Sequence, residues 1–361
     1  MKILKTICSL ILVALLLCGG VSASQVPENS ARACVLIEAD SGEVIFENNK
    51  DERLGPASTT KIMTALVALE HMAAETAITF DARAEGVEGS SAYMRAGEKY
   101  TLEELLYAMM LQSANDVATC IAYAVGGSVE NFAVMMNEKA AELGLENTHF
   151  ENPHGLDGES HYTSAYDLAL IAREALKNET FAKIVSSKTA TVGEGENTRS
   201  FRNHNRLLFE YEDITGVKTG FTKRCGRTLV SSAEKDGVRL ICVTLSDGND
   251  WRDHRRMLDA GFEMYESVVL CKKGAMRFNV HVCGGQTATV SVSNADEKRI
   301  TLKKDHGEIE MRTELPPFVY ADIHKGDIIG YVRFYLDGEE MASCGLYATD
   351  DCLKSSIGRN K

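Results

Sequence analysis

No stretch of this 361-residue chain is basic enough to track a phosphate backbone. Acidic residues outnumber basic ones, 52 to 39, and the net charge of −13 disfavours nucleic acid as a partner. The densest cationic cluster, Trp251-Arg252-Asp253-His254-Arg255-Arg256, is expected to be a solvated helix face. There is no Cys-x-x-Cys and no repeated cysteine spacing, which argues against a dense disulfide framework. His149, His154 and His161 match neither a metal-binding helix pair nor a ligand set completed by a clear carboxylate, so no metal and no cofactor is expected. Internal repeats and low-complexity tracts are absent. The apolar run Ile7–Leu17 falls short of the roughly 20 residues of a spanning helix.

That run has a different reading. Lys2 and Lys5 precede it and the small residues Val21-Ser22-Ala23 follow, the pattern of a secretory signal peptide over residues 1–23. Export across the cytoplasmic membrane is therefore expected. Cleavage after Ala23 removes two lysines and no acid, taking the charge from −13 to −15. Eight of the ten cysteines remain. Cys34, Cys120 and Cys242 sit in apolar runs and are expected as small core hydrophobes. Bridges near Cys271/Cys283 or Cys344/Cys352 stay open.

At 44% hydrophobic and 25% charged, the chain is globular in composition and long enough for about two domains. Residues 24–270 read as the first. Cys34–Ile37 and Val44–Phe46 flank a turn at Asp40-Ser41-Gly42-Glu43 and form a hairpin. An amphipathic helix from Thr59 carries Ile62, Leu66 and Leu69. Thr101 with Glu104 forms a capping box ahead of a stripe of Leu102, Leu105, Leu106, Met109 and Met110. Helices follow from Ser128 and over Ser164–Leu176. Strands are expected at 217–221, 227–231 and 238–245, with Asp236-Gly237 as a turn, then a helix over Asp250–Tyr265. The order predicts an antiparallel sheet covered by helices, an α+β fold. Residues 271–353 contain short strand runs and no good helix, and read as a small all-β domain. Residues 354–361 form a polar tail without an amphipathic face, so a C-terminal membrane anchor is not expected.

Three short strings carry chemistry. Ser58-Thr59-Thr60-Lys61 places a serine at the start of a helix with a lysine one turn later, both aimed to one side. A serine hydroxyl attacks only when a base removes its proton, and a lysine is that base only if burial or a neighbouring cation lowers its pKa. Ser113-Ala114-Asn115 lies between two apolar helices, where Ser113 can relay a proton and Asn115 can meet a substrate amide. Lys218-Thr219-Gly220 lies on a strand flanked by glycines that permit close backbone approach, so an extended peptide could pair there with its carboxylate on Lys218 and Thr219. Each string alone is also compatible with helix capping or a protected strand edge. Their joint order points to acyl transfer.

With these strings the chain resembles the penicillin-recognising serine enzymes, and more narrowly the low-molecular-mass D-alanyl-D-alanine carboxypeptidases. Pro56–Ala65, Ser113–Asp116, Asn152–Asp157 and Val217–Thr222 match that pattern, and the resemblance covers nearly all of the chain after the leader. It implies a catalytic domain of the β-lactamase/DD-peptidase type. It implies that Ser58 attacks the bond between the last two D-alanines of a peptidoglycan stem peptide, that Lys61 is its base, and that Ser113 protonates the leaving D-alanine. Asn115 would hold the acyl part, and Lys218 and Thr219 the carboxylate. Backbone N–H groups of Ser58 and Phe221, beside Gly220, would form the oxyanion hole. β-Lactams would trap Ser58. The loop Thr222–Arg227 is more basic than the family pattern. A β-lactamase is disfavoured because no Glu-x-x-Leu-Asn string precedes Lys218. A DD-endopeptidase acting on cross-links, and a non-catalytic cell-wall binding or scaffold protein, remain as alternatives.

Overall fold

The computed structural model describes residues 27–355; the leader and the end of the polar tail lie outside the described residues. Strands β1 (Ala31–Glu38) and β2 (Val44–Asn48) form the expected hairpin. Two short ribbons pair β3 (Ala77–Thr79) with β4 (Lys99–Thr101) and β5 (Thr189–Val192) with β6 (Arg199–Arg202). The main sheet adds β7 (Ile214–Thr222), β8 (Gly226–Lys235) and β9 (Val238–Asp247) in the order β2-β1-β9-β8-β7, antiparallel throughout. Asp236 (φ 52°) and Gly237 (φ 80°) both take the left-handed conformation that a tight hairpin between right-twisted strands requires.

The sheet is buried on both faces. Along β1, Ala33, Val35 and Ile37 pack into the larger core while Cys34 and Leu36 pack into the smaller one, the period-two alternation of a strand. Helices Lys61–His71, Leu102–Gln112, Asn115–Gly126, Val129–Glu142, Ala165–Ala175 and Glu179–Ser186 cover the first face. Helix Asp250–Met264 covers the second. The capping box at Thr101 forms as expected, with Thr101 Oγ1 accepting from the Glu104 N–H and Glu104 accepting from the Thr101 N–H. Helix Lys61–His71 differs from its expected amphipathic form. Residues 61–68 are all buried, because the helix lies inside the helical layer and is wrapped by its neighbours.

The segment Trp251–Arg256 also departs from a simple solvated face. Asp253 and His254 are fully buried. His254 bonds the hydroxyls of Ser231 (2.5 Å) and Thr244 (3.0 Å) on the sheet. Burial pushes its pKa down to about 3, so it is a neutral structural imidazole.

After that helix the described residues form strands and turns with no further helix. β10 (Tyr265–Cys271) pairs with β13 (Lys298–Lys303). A six-stranded sheet contains β11 (Arg277–Cys283), β12 (Thr289–Asn294), β14 (Ile309–Glu314), β15 (Phe318–Tyr320), β16 (Ile328–Leu336) and β17 (Glu339–Ala348) in the order β14-β16-β17-β12-β11-β15. Its core is Val280, Val282, Val290, Val292, Val332, Phe334 and Leu346. Strands β14, β15 and β17 were not legible in the sequence. The polar-rich β14 (burial confined to half-exposed Ile309) lies at a sheet edge, where pairing rather than burial defines a strand. Among the described residues no single helix is long and apolar enough to cross a membrane.

Candidate active site

Ser58 sits in a short 3₁₀ turn, Ala57–Thr60, that feeds directly into helix Lys61–His71. The turn is clamped from several sides. Thr59 Oγ1 (2.6 Å) and Thr228 Oγ1 (3.1 Å) both donate to the Pro56 carbonyl. Thr60 Oγ1 contacts His161 Nε2 at 2.9 Å, and Thr64 Oγ1 donates to the Pro153 carbonyl at 2.6 Å. Ala57 is held at φ 48°, in a region that a residue with a Cβ seldom occupies. Against it lies Gly155 (φ 91°) of the Asn152-Pro153-His154-Gly155 loop, where a Cβ would come within 1.8 Å of the Ala57 oxygen. Only glycine lets that loop close on the serine turn.

Lys61 is fully buried. Its Nζ lies 3.0 Å from Ser58 Oγ, 2.7 Å from Asn115 Oδ1 and 2.5 Å from the His154 carbonyl oxygen. Burial, then the charge of Lys218, drives its pKa well below the ordinary lysine value. A neutral amine has two N–H bonds and one lone pair. Two of its three neighbours are carbonyl oxygens, which only accept, so they take the two N–H bonds. In that neutral form the lone pair is free to accept from the Ser58 hydroxyl, which lies at 3.0 Å, within the reach of a general base.

Ser113 ends helix Leu102–Gln112 in the left-handed conformation (φ 63°), and Asn115 opens the next helix. This sharp reversal places Ser113 in the wall of the cleft and turns Asn115 inward onto Lys61. Asn115 is more committed than its residue type suggests. Oδ1 accepts from Lys61 and Nδ2 donates to the Glu88 carbonyl at 2.6 Å, leaving one amide N–H for other partners. Asp116 ties down the same loop, accepting from Ser91 Oγ (2.7 Å) and the Ala92 N–H (3.1 Å).

Lys218 and Gly220 come from β7. Lys218 is 1% exposed, donates to the Thr219 carbonyl at 2.9 Å, and is pushed by burial down to a pKa of about 7. A Cβ on Gly220 would lie 2.3 Å from Thr228 Oγ1 and 3.0 Å from the Ser58 nitrogen, so glycine allows β7 to approach the serine turn. Phe221 follows with its ring 65% exposed at the cleft edge.

Ser58, Ser113, Thr219, Gly220 and Phe221 share one open cleft of about 300 Å³. Its remaining wall was missed in the sequence: Ser90, His204, and a group of Arg227, Asp250 and Trp251. Arg227 donates through Nε (3.0 Å) and Nη2 (2.8 Å) to Asp250 and lies 5.3 Å from the centre of the Trp251 ring. These residues come from the start of β8 and of helix Asp250–Met264, and no local spacing joins them. Larger cavities of about 490 and 800 Å³ lie elsewhere, lined by Arg173 and Lys183 or by Glu43 and Arg299, and neither is lined by Ser58, Ser113 or Thr219. The three histidines are separately occupied. His161 bonds Thr60 and the Glu151 N–H, His149 bonds the Ser160 carbonyl, and burial holds His154 neutral with a pKa of about 3.

A buried lysine of lowered pKa beside a serine hydroxyl that opens on the cleft, with a second serine in the cleft wall and a second buried lysine on β7, is an arrangement suited to acyl transfer by a serine enzyme. Comparison with known proteins narrows this. The family described as D-alanyl-D-alanine carboxypeptidase matches residues 20–249, and the C-terminal domain of penicillin-binding protein 5 matches residues 265–354. The D-alanyl-D-alanine carboxypeptidase DacF of Bacillus subtilis is 33% identical over 91% of this chain and 87% of its own length. DacC of Escherichia coli is 32% identical over 88% of this chain and 83% of its own. The structure of penicillin-binding protein 5 from Haemophilus influenzae superposes with a TM-score of 0.67 at 30% identity, covering 91% of this chain and 99% of that one. The chain belongs to the serine-type D-alanyl-D-alanine carboxypeptidase family, with a catalytic α+β domain and a C-terminal β-domain.

Proposed function

We propose that this protein removes the terminal D-alanine from peptidoglycan stem pentapeptides through an acyl-enzyme on Ser58. The observation that carries the reading is the contact set of Lys61, whose two carbonyl partners leave its lone pair on the Ser58 hydroxyl. Lys61 takes the proton as Ser58 attacks, and later activates the water that releases the acyl group. Ser113, reversed into the cleft by its left-handed backbone, passes a proton to the departing D-alanine. Asn115 positions Lys61 and offers its remaining N–H to the acyl part. The N–H groups of Ser58 and Phe221 flank the close approach at Gly220 and stabilise the oxyanion. Lys218 and Thr219 hold the terminal carboxylate, and that anion in turn favours the charged form of Lys218.

β-Lactams imitate the acylating substrate and stall at the Ser58 ester. The substrate lies outside the cytoplasm, which agrees with a leader at residues 1–23 and catalysis by residues 24–270. Strand Tyr265–Cys271 leads into the β-domain of residues 271–353.

The direct test is D-alanine release from a pentapeptide ending in D-Ala-D-Ala, with Ser58→Ala as control. Release by the wild type alone is expected. An amidated terminus should lower kcat/KM by about 10–100-fold, the range of a lost hydrogen bond to a charged group. Equal turnover of acid and amide would remove Lys218 and Thr219 from carboxylate recognition. No release alongside intact penicillin labelling would shift the activity to cross-link cleavage.

A further inference from the structure

Among the described residues, two cysteines distant in sequence lie side by side. Cys271 ends β10, the strand that follows the last catalytic-domain helix directly, and Cys344 lies within β17 of the six-stranded sheet. Their Sγ atoms are 3.8 Å apart. All eight cysteines among the described residues are free thiols, so neither of the sequence-local pairs Cys271/Cys283 and Cys344/Cys352 is bridged. Cys283 is exposed on β11, and Cys352 Sγ sits 3.0 Å from Thr287 Oγ1.

We propose that Cys271 and Cys344 form a redox-dependent disulfide that staples the strand leaving the catalytic domain to the sheet of the β-domain.

The geometry suits a bond. The sulfurs are in van der Waals contact, and a disulfide at about 2.05 Å needs a closure of about 1.8 Å. The site is ordered from behind. Asn294 is the buried polar residue beside it, with Nδ2 near Cys271 Sγ (3.6 Å) and bonded to the carbonyls of Lys272 (2.9 Å) and Asp296 (2.8 Å). Those contacts hold the end of β10 in place and keep Cys271 turned toward β17. Cys271 is 4% exposed while Cys344 is half-buried, so an external reagent reaches Cys344 first.

The oxidant is a small or protein-borne disulfide, RSSR. The Cys344 thiolate attacks one of its sulfurs, forming a mixed disulfide and releasing one thiol. The Cys271 thiolate then attacks Cys344 Sγ, breaks the mixed bond and releases the second thiol. The protein dithiol loses two electrons and two protons, and both appear in two RSH molecules. Burial and the neighbouring Cys271 raise the Cys344 pKa to about 11, so the exchange is slow at neutral pH and speeds up as pH rises.

The experiment is peptide mapping of the full chain after incubation with oxidised glutathione at mildly alkaline pH, without reduction before digestion. The expected result is a linked pair containing Cys271 and Cys344, two hydrogens lighter than the sum of the free peptides, which dithiothreitol separates. In Cys344→Ser the link should be lost and Cys271 should remain an unmodified thiol, shielded by burial. Recovery from the wild type of both residues as free thiols or as separate glutathione adducts would overturn the proposal. So would a link from Cys271 to Cys283 or from Cys344 to Cys352.

Discussion

The two domains distribute polarity in opposite ways. Among the described residues, every buried polar or charged side chain but one lies before residue 255, and the exception is Asn294. Six of the ten exposed large hydrophobic residues lie between 311 and 353: Met311, Phe318, Tyr320, Ile328, Tyr331 and Leu353. Burying Lys61 and Lys218 costs stability, since each charged form is moved away from water. On the proposed mechanism the perturbed lysines are the reagents of the catalytic domain, which accounts for that cost. Among the described residues the β-domain buries no lysine, and apart from Asn294, Cys271 and Cys352 its inward side chains are aliphatic and aromatic. Chemistry is therefore concentrated where polar groups are hidden, while the β-domain contributes shape and surface.

If the comparison holds, damage on the two sides should separate. The largest effect is expected from Lys61→Ala. Penicillin acylation of Ser58 should slow by about 10²–10⁴-fold, the usual contribution of a positioned base, while the far-ultraviolet spectrum stays native. Near-normal acylation in stopped-flow measurement would break the distinction at its centre. Phe334→Ala should do the reverse. That ring is 2% exposed in the β-domain core, and its loss should cost about 3–5 kcal/mol in denaturant unfolding. Acylation by the folded variant should be unchanged, and a parallel loss of acylation would show that the β-domain shapes the cleft.

A smaller effect sharpens the electrostatic half of the argument. With Lys61 as the proposed base and its pKa depressed, kcat/KM should fall on the acid side as Lys61 gains its proton. Lys218 works as a cation with a pKa of about 7, so kcat/KM should fall again as pH rises through that value, approaching tenfold per pH unit. A profile still rising to about pH 10 would mean that both lysines keep ordinary pKa values.

Much of the site was legible because its residues lie in short local strings. Ser58 and Lys61 are one helical turn apart, and Ser113 and Asn115 flank one reversal. The convergence of those strings with Lys218 was legible only through the family pattern. Their neighbours were hidden for a physical reason. His204, Arg227 and Trp251 reach the cleft from separate elements, and each reads alone as an ordinary surface residue. The dual commitment of Asn115 depends on the Glu88 carbonyl, a backbone atom that no side-chain pattern reveals. In the fold, alternating hydrophobicity marked the central strands. Edge strands such as Ile309–Glu314 lacked it, because they are held by pairing with little burial. The helix at Lys61 looked amphipathic because its buried lysine counts as polar in any periodicity.

Peptide mapping of the penicillin-treated protein tests Ser58 as the nucleophile most directly. The expected result is a single acyl adduct on the peptide containing Ser58, lost in Ser58→Ala. An adduct on Ser113 or elsewhere, or labelling that persists in Ser58→Ala, would contradict it.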